Sequence, residues 1–309
     1  MRRALVTGGA GFIGSHLTEV LLAKGWYVYV LDDLSTGSLE NLPKDNSNLD
    51  FFFGQVQDYR DVERYSDKVD VIFHLAAVVG ADLVTENPIE TIHTNIKATE
   101  TILEFATQKP IPVLITSTSE VYGKLDKFQF SETDDLVLGP SSKSRWCYAA
   151  SKIVDEHLAI AYDAIVVRLF NTIGLRQSGY YGMVVPRFVQ QARLGEPLVI
   201  YGDGTQKRSF TWIGDVVDAM IKLIELPLGG QIFNIGHTQE ISINELADLI
   251  IKMTKSKSEV IYAKKAFEGM YRRLPDLSKI EQTINYKPTL SLSEMLERII
   301  DYENILSTQ

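Results

Sequence analysis

A single cysteine, Cys147, stands in a chain of 309 residues, so no disulfide can close within it. That fits a reducing compartment. No run of 18 apolar residues occurs, which leaves no candidate for a membrane-spanning helix. The apolar run at the N-terminus stops at Gly8, too early for the core of a secretion signal. Basic residues are also short: 31 Lys and Arg face 40 Asp and Glu, a net charge of −9. The deficit argues against a nucleic-acid partner, whose affinity is built from Lys and Arg on phosphates. It leaves room for a small phosphate ligand, which a few arginines can hold. Internal repeats, low-complexity tracts and long charge runs are missing as well. What is present is 45 % apolar and 23 % charged, enough for a core of normal size. The expectation is a cytoplasmic protein with no membrane contact and no metal site.

Short β-branched runs alternate with longer helical patterns. Ala4–Thr7, Tyr27–Leu31, Val69–Leu75, Val113–Ser117 and Ala164–Leu169 read as strands, mostly apolar on both faces. Ile13–Lys24, Pro88–Gln108 and Tyr148–Tyr162 read as helices between them. This alternation predicts an α/β fold with a doubly wound parallel sheet over residues 1–170. After Asn171 glycine and proline become frequent. A helix over Pro186–Leu194, a strand over Leu198–Tyr201 and a helix over Ile243–Thr254, capped by Ser242 or Asn244, suggest a smaller mixed α/β lobe over 171–309. Within it a segment near 212–240, with a strand at Ile232–Ile235, returns to the first domain.

The first strand runs straight into Gly8-Gly9-Ala10-Gly11-Phe12-Ile13-Gly14, which opens the first helix. Gly8 permits a tight turn, Gly11 lets a pyrophosphate approach the backbone, and Gly14 lets helix and strand pack closely. Asp32 follows 18 residues after Gly14, at the end of the second strand. A carboxylate there accepts from the free 2′-hydroxyl of NAD and repels the 2′-phosphate of NADP. Asp33 comes next, and no Lys or Arg occurs until Lys44. His74-Leu75-Ala76-Ala77 closes another strand with small residues on the cofactor side. The cofactor expected is NAD.

Tyr148 and Lys152 lie four residues apart, on one face of a helix. A free phenol has a pKa of about 10 and is a poor base near neutrality. A neighbouring ammonium and an oxidised nicotinamide both favour the phenolate, so Tyr148 can take a proton from a sugar hydroxyl as hydride leaves the carbon beneath. Thr116-Ser117-Thr118-Ser119-Glu120-Val121-Tyr122-Gly123 ends the strand before that helix. A hydroxyl here bridges the reacting oxygen and Tyr148. Ser119 is the first choice, with Thr118 close behind, and Glu120 adds a carboxylate near the sugar.

With these residues together the chain resembles, over nearly its whole length, the extended short-chain dehydrogenases that modify nucleotide sugars. Further blocks match in order: Asp32-Asp33-Leu34-Ser35-Thr36-Gly37, Asn95 with Thr99, Arg168-Leu169-Phe170-Asn171, Tyr201-Gly202-Asp203-Gly204 and Phe233-Asn234-Ile235-Gly236. The resemblance implies a Rossmann fold, a UDP-sugar substrate and a homodimer paired through the helices at 88–108 and 148–162. It makes Tyr148 the base, Lys152 the holder of the nicotinamide ribose and Ser119 the aid to proton transfer. It sets Ser35, Thr36, Gly37, Gln55, Val56, Leu75, Ala76 and Ala77 around NAD. Gln55 departs from the acid common at that place, but its amide oxygen can still accept from the adenine amino group. Asn95 orders the helix behind the site, and Asn171 reaches a substrate phosphate. Val184, Val185 and Phe188 pack near a pyrimidine, with Tyr201 beyond them. Arg208 clamps the diphosphate, Arg273 the diphosphate or the sugar, and Arg145 joins the sugar end.

The implied chemistry is transient oxidation at C4 of the sugar. The Asp-Leu-Ser-Thr-Gly block and the segments 168–176 and 182–195 resemble 4-epimerases of UDP-glucose or UDP-glucuronate, which is the outcome favoured here. Ser119-Glu120, Lys143-Ser144-Arg145-Trp146 and Arg273 are similar to UDP-glucuronate decarboxylases, the alternative. A 4,6-dehydratase would carry Asp-Glu where this chain has Ser119-Glu120. An NADPH-type carbonyl reductase would want a basic residue near Asp32. Every one of the NAD outcomes requires Tyr148. Tyr148→Phe is therefore expected to lose turnover by at least about 100-fold while NAD stays bound, as assayed by initial rates and cofactor content.

Overall fold

The computed structural model describes residues 1–65, 67–179, 182–264 and 270–306. Six strands, β1 (Arg3–Thr7), β2 (Tyr27–Asp32), β3 (Leu49–Phe53), β4 (Val71–His74), β5 (Val113–Thr118) and β6 (Ile165–Leu169), join a seventh, Ile232–Ile235, in one sheet. Every pairing in it is parallel, in the order Ile232–Ile235, β6, β5, β4, β1, β2, β3. The chain builds outward from β1 to β3, then resumes on the other side of β1 at β4. The crevice beyond the ends of β1 and β4 is thus the switch point, where ligands bind in such sheets. Thr7 and His74 sit side by side there.

Helices α1 (Phe12–Ala23), α2 (Tyr59–Glu63), α3 (Ala81–Glu86), α4 (Pro88–Thr107) and α5 (Trp146–Ala161) lie between the strands, and α6 (Val184–Leu194) and α7 (Ile213–Ile224) follow β6. Leu5, Ile72 and Ile115 point to the α4 and α5 side, with Ile102, Phe105 and Ala159. Ala4, Val6 and Phe73 point to the other, where Leu17 and Leu21 of α1 meet Met220 of α7. That second cluster continues through Phe188 to Leu246 and Ile299, so the C-terminal part shares its core with the sheet. Beyond the sheet, Leu198–Tyr201 pairs with Val260–Ala263, and Lys207–Ser209 with Glu240–Ser242.

The strands and helices expected from the sequence are present, with ends shifted by one or two residues. Ser242, rather than Asn244, caps the helix Ile243–Thr254, in a reciprocal pair with Glu245. Several elements were not anticipated, three of them among the larger features of the fold. β3 is an edge strand, short and partly exposed, without a clear alternation. α7 starts at Trp212 without a side-chain cap, though Ile213, Val216, Val217, Met220 and Ile224 mark one buried face. Leu292–Leu306 is a helix announced by Ser291 and Glu294, which hydrogen-bond each other's ends.

α5 is pinned to the sheet by an ion pair. Arg168 of β6 donates from Nε and Nη2 to the two oxygens of Glu156 at 2.9 and 2.7 Å, with both side chains buried. Ser117 of β5 adds a 2.5 Å hydrogen bond to the same carboxylate. Arg168 also donates to the Tyr122 hydroxyl, which donates to Asn234. Removing one partner strands a buried charge, at a cost of about 3–5 kcal/mol. Glu156→Leu alone is expected to show that loss in denaturant unfolding, and Glu156→Leu with Arg168→Met to recover most of it.

Candidate active site

The glycine turn leaves no room for side chains. Gly8 has φ +69°, and a Cβ on it would lie 2.8 Å from the Ala76 nitrogen. A Cβ on Gly14 would lie 2.1 Å from the Gly8 carbonyl oxygen, and one on Gly37 2.9 Å from the Ala10 backbone. α1 begins at Gly11 with no side-chain cap and no acid in its first turn. Its free N–H groups and dipole suit an anion such as a pyrophosphate. Asp32 is buried, accepts from the backbone N–H of Ala10 at 2.9 Å and of Leu34 at 2.8 Å, and so fixes the turn. Each of its oxygens keeps a lone pair for a ribose hydroxyl. Burial lifts its carboxyl above the ordinary range, against those two hydrogen bonds. Asp33 accepts from Ser35 N, and Thr36 is exposed beside it. Phe12, Ile13, Leu75, Ala76 and Ala77 are half-buried around the crevice. Val56 is buried, and Gln55 is exposed with its backbone tied to Asp61. The cradle fits NAD, which these residues would hold.

Tyr148 and Lys152 come from the first turns of α5, which Asn95 of α4 braces by donating to the Ser151 hydroxyl at 3.2 Å. The hydroxyl that meets the Tyr148 phenol is that of Thr118, not Ser119. Thr118 is the last residue of β5, and Ser119 opens the short turn that follows, where it is buried. The chain leaves the strand between the two, and Thr118 also caps the turn by accepting from Glu120 N at 3.2 Å. The phenol also departs from expectation. Burial first, then the charges of Glu120 and Asp155, push its pKa up, and the Thr118 hydrogen bond only partly offsets them. The Lys152 ammonium is engaged elsewhere, with Asp155 at 3.1 Å.

Glu120 gathers the cations. Arg145 donates to its Oε2 at 3.4 Å, and both terminal nitrogens of Arg273 lie 3.4 Å from its Oε1. Burial would raise the Glu120 carboxyl, but Arg273, Arg145 and then Arg208 outweigh it and hold the group below its usual range. Arg273 arrives from 153 residues away because Phe130 N donates to Leu274 O and Asp276 N to Phe130 O. Arg145 lies against the Trp146 ring, 4.7 Å from its centre. Burial and the charges of Arg273 and Arg145 bring Arg208 down to about 9. Nε of Arg145 and Nε of Arg273 are buried without a hydrogen-bond partner among the described residues. Three guanidiniums around one carboxylate leave an excess of positive charge for an anionic ligand.

The remaining residues divide. Asn171 is half-buried and donates to Ser209 O at 2.9 Å, bridging β6 to the lobe. Val185 and Phe188 face the core, since α6 packs that side inward, while Val184 is half-buried. Arg187 between them is half-buried, donates to Val199 O at 3.1 Å and lies 4.8 Å from the centre of the Tyr201 ring. Asp155, paired with Lys152, is a residue beside the site that the sequence marks only by its spacing along a helix.

The fold and site define an NAD-using enzyme of nucleotide sugars. The chain belongs to the NAD dependent epimerase/dehydratase family, whose model matches residues 4–236. It is 37 % identical to a UDP-N-acetyl-alpha-D-glucosaminuronate decarboxylase of Bacillus cytotoxicus, covering 97 % of each chain. It is 35 % identical to UDP-glucuronic acid decarboxylase 1 of Arabidopsis thaliana, over 98 % of this chain and 70 % of the relative. Among solved structures it is similar to the UDP-glucose 4-epimerase of Thermotoga maritima, with TM-score 0.91, 29 % identity and 99 % of each chain covered. The UDP-glucuronic acid 4-epimerase of Bacillus cereus, solved with UDP-glucuronic acid and NAD, gives TM-score 0.88 and 30 % identity over 98 % of this chain and 99 % of that one. Among the described residues no helix is long and apolar enough to cross a membrane, and no cluster of three His, Cys, Asp or Glu is placed to hold a metal.

The Thr118 contact separates two adjacent hydroxyls. Thr118→Val is expected to lower kcat by about 100-fold, and Ser119→Ala to leave it within about 3-fold, in parallel initial-rate assays. Equal losses would remove the distinction.

Proposed function

We propose that the protein is a decarboxylase of a UDP-linked hexuronate, with glucuronate and N-acetylglucosaminuronate as the two candidate sugars. One observation carries this reading: Glu120 holds Arg145 and Arg273 in a fixed fork beside Tyr148. A fixed clamp suits a sugar that keeps one face to the site throughout. The 4-epimerase favoured by sequence resemblance must instead let its keto sugar turn over. The two decarboxylases that are 37 % and 35 % identical along almost the whole chain support the same choice.

NAD, held by the glycine turn and Asp32, would supply a hydride acceptor for C4 and, at the end, the same hydride back. Tyr148 takes the proton from O4, with Thr118 bridging. The carboxylate, held by Arg145 and Arg273, then lies β to a ketone. The C5–C6 bond breaks, carbon dioxide leaves, and the electron pair spreads from C5 onto O4, where the Tyr148 hydroxyl stabilises it. C5 takes one proton from water. When the hydride returns to C4, Tyr148 gives its proton back to O4. The sum is one proton consumed and one carbon dioxide released, with no net redox change. Glu120, kept ionised by its arginines, is a poor acid, which disfavours dehydration of the sugar. Arg208 serves the diphosphate. Exposed Ile89, Ile92, Val154 and Ile160 on α4 and α5 support a homodimer paired through those helices.

A second reading, the 4-epimerase, is supported by the fold similarity to UDP-glucose and UDP-glucuronic acid 4-epimerases and by the sequence blocks that resemble them. The two separate by product. Incubation with UDP-glucuronate, with UDP-N-acetylglucosaminuronate and with UDP-glucose, followed by NMR, is expected to show a UDP-pentose and carbon dioxide from one of the uronates. UDP-galacturonate or UDP-galactose without carbon dioxide would overturn the decarboxylase.

A further inference from the structure

Behind the Tyr148–Lys152 pair runs a buried chain of polar groups that hydride transfer does not itself require. It starts at Thr7, the residue before the glycine turn. The Thr7 hydroxyl oxygen accepts from the backbone N–H of Leu75 and of Ala76, at 3.2 and 3.3 Å. Its proton is thus left for His74 Nδ1, 2.8 Å away. A neutral imidazole that accepts at Nδ1 donates from Nε2, here to the Thr99 hydroxyl at 3.3 Å. Burial first, then the charge of Lys152, lowers His74 to about 3, so the ring stays neutral. Thr99 turns its own proton toward the Asp155 carboxylate. Asp155 Oδ2 accepts from Lys152 Nζ at 3.1 Å, with the two side chains 0 % and 3 % exposed. The donors therefore run one way, from Thr7 to His74 to Thr99 to Asp155, and Lys152 closes the chain from the other end.

We propose that Asp155 is a positioning residue of the hydride-transfer site. It holds the Lys152 ammonium against α4 and the end of β4, and it balances that ammonium's charge behind Tyr148. The proposal rests on Tyr148 and Lys152 as the hydride-transfer pair, and it is indifferent to whether the sugar is decarboxylated or epimerised. A bare ammonium would drive the phenol toward phenolate, whereas a paired one does so less. The direction found for Tyr148 agrees, since Asp155 is among the charges that raise it. The groups facing Asp155 are Lys152 and Glu156 on its own helix and Thr99 from α4, with His74 facing Lys152 from β4. Asp155 itself is raised by burial first and then by Glu156, against Lys152 and Thr99. Among the described residues its Oδ1 has no partner of ordinary hydrogen-bond geometry.

The test separates charge from position. Asp155→Asn keeps an acceptor for Lys152 and removes the negative charge. The sign follows: with the carboxylate gone, the Tyr148 phenolate forms at lower pH. The acidic limb of kcat should then move to lower pH, with the plateau kept within about 3-fold. The near-ultraviolet phenolate absorbance that Tyr148→Phe removes should move with it. Asp155→Ala should move the limb the same way and lower the plateau by about 10-fold, because Lys152 is no longer held. Thr99→Val, which leaves Asp155 in place, is the second probe should the Asp155 variants not fold. It weakens the hold on the carboxylate's charge and should move the limb the same way by less. A limb and phenolate titration unmoved in a folded Asp155→Asn protein, or in Thr99→Val, would overturn the proposal. Turnover by Tyr148→Phe would instead defeat the hydride-transfer reading beneath it.

Discussion

The buried pair of Arg168 and Glu156 is the constraint on which the rest of the site depends. Strand β6 and helix α5 are consecutive along the chain, and the pair locks one onto the other through two short hydrogen bonds. Ser117 brings β5 into the same lock, and Tyr122 and Asn234 extend it to the loop after β5 and to the strand Ile232–Ile235. Everything catalytic hangs from those elements. Tyr148, Lys152 and Asp155 lie on α5. Thr118 and Glu120 lie at the end of β5. Arg273 is delivered by a segment that hydrogen-bonds to Phe130, whose carbonyl also accepts from Asn234. A buried ion pair is weak evidence of stability, because desolvation offsets much of the attraction. Its value here is geometric. It fixes the rotation of α5 about its own axis, and therefore the face on which the phenol and the ammonium emerge.

Two kinds of information were legible in the sequence to different degrees. The sheet was nearly all visible, because strands buried on both faces are written as continuous apolar runs. The glycine turn was visible because sterics allow nothing else: a methyl group on Gly14 has no space beside the Gly8 carbonyl. The Tyr148–Lys152 pair was visible because helical spacing is local. What failed depended on contacts at long range or on a single residue of register. Thr118 and Ser119 are both hydroxyls at a strand end, and which one meets Tyr148 depends on where the strand gives way to the turn. Val185 and Phe188 sit on a helix whose inward side is set by the lobe's packing, so the two apolar residues went to the core. Asp155 looked like one more polar residue on a helix, because its partner Thr99 on α4 lies 56 positions away in sequence.

The same division governs what can be said of the reaction. The fold is shared by epimerases, dehydratases and decarboxylases, so it fixes only the cofactor and the first step. The later steps differ in what must happen to a sugar already oxidised at C4. Dehydration needs an acid beside the leaving hydroxyl, and Glu120 is held ionised by Arg273 and Arg145. Epimerisation needs the sugar to be released and turned. Decarboxylation needs least, since a carboxylate β to a ketone is already poised to leave, and what remains is to hold it still and let the electron pair settle on O4. A clamp of arginines fastened to a carboxylate of the protein, with a tyrosine placed to exchange one proton with O4, supplies that holding and little more. On this argument the departures from expectation form one set. The engaged lysine and the ionised glutamate both pair their charge within the protein, so the site is built to hold a charged sugar still rather than to protonate a leaving hydroxyl.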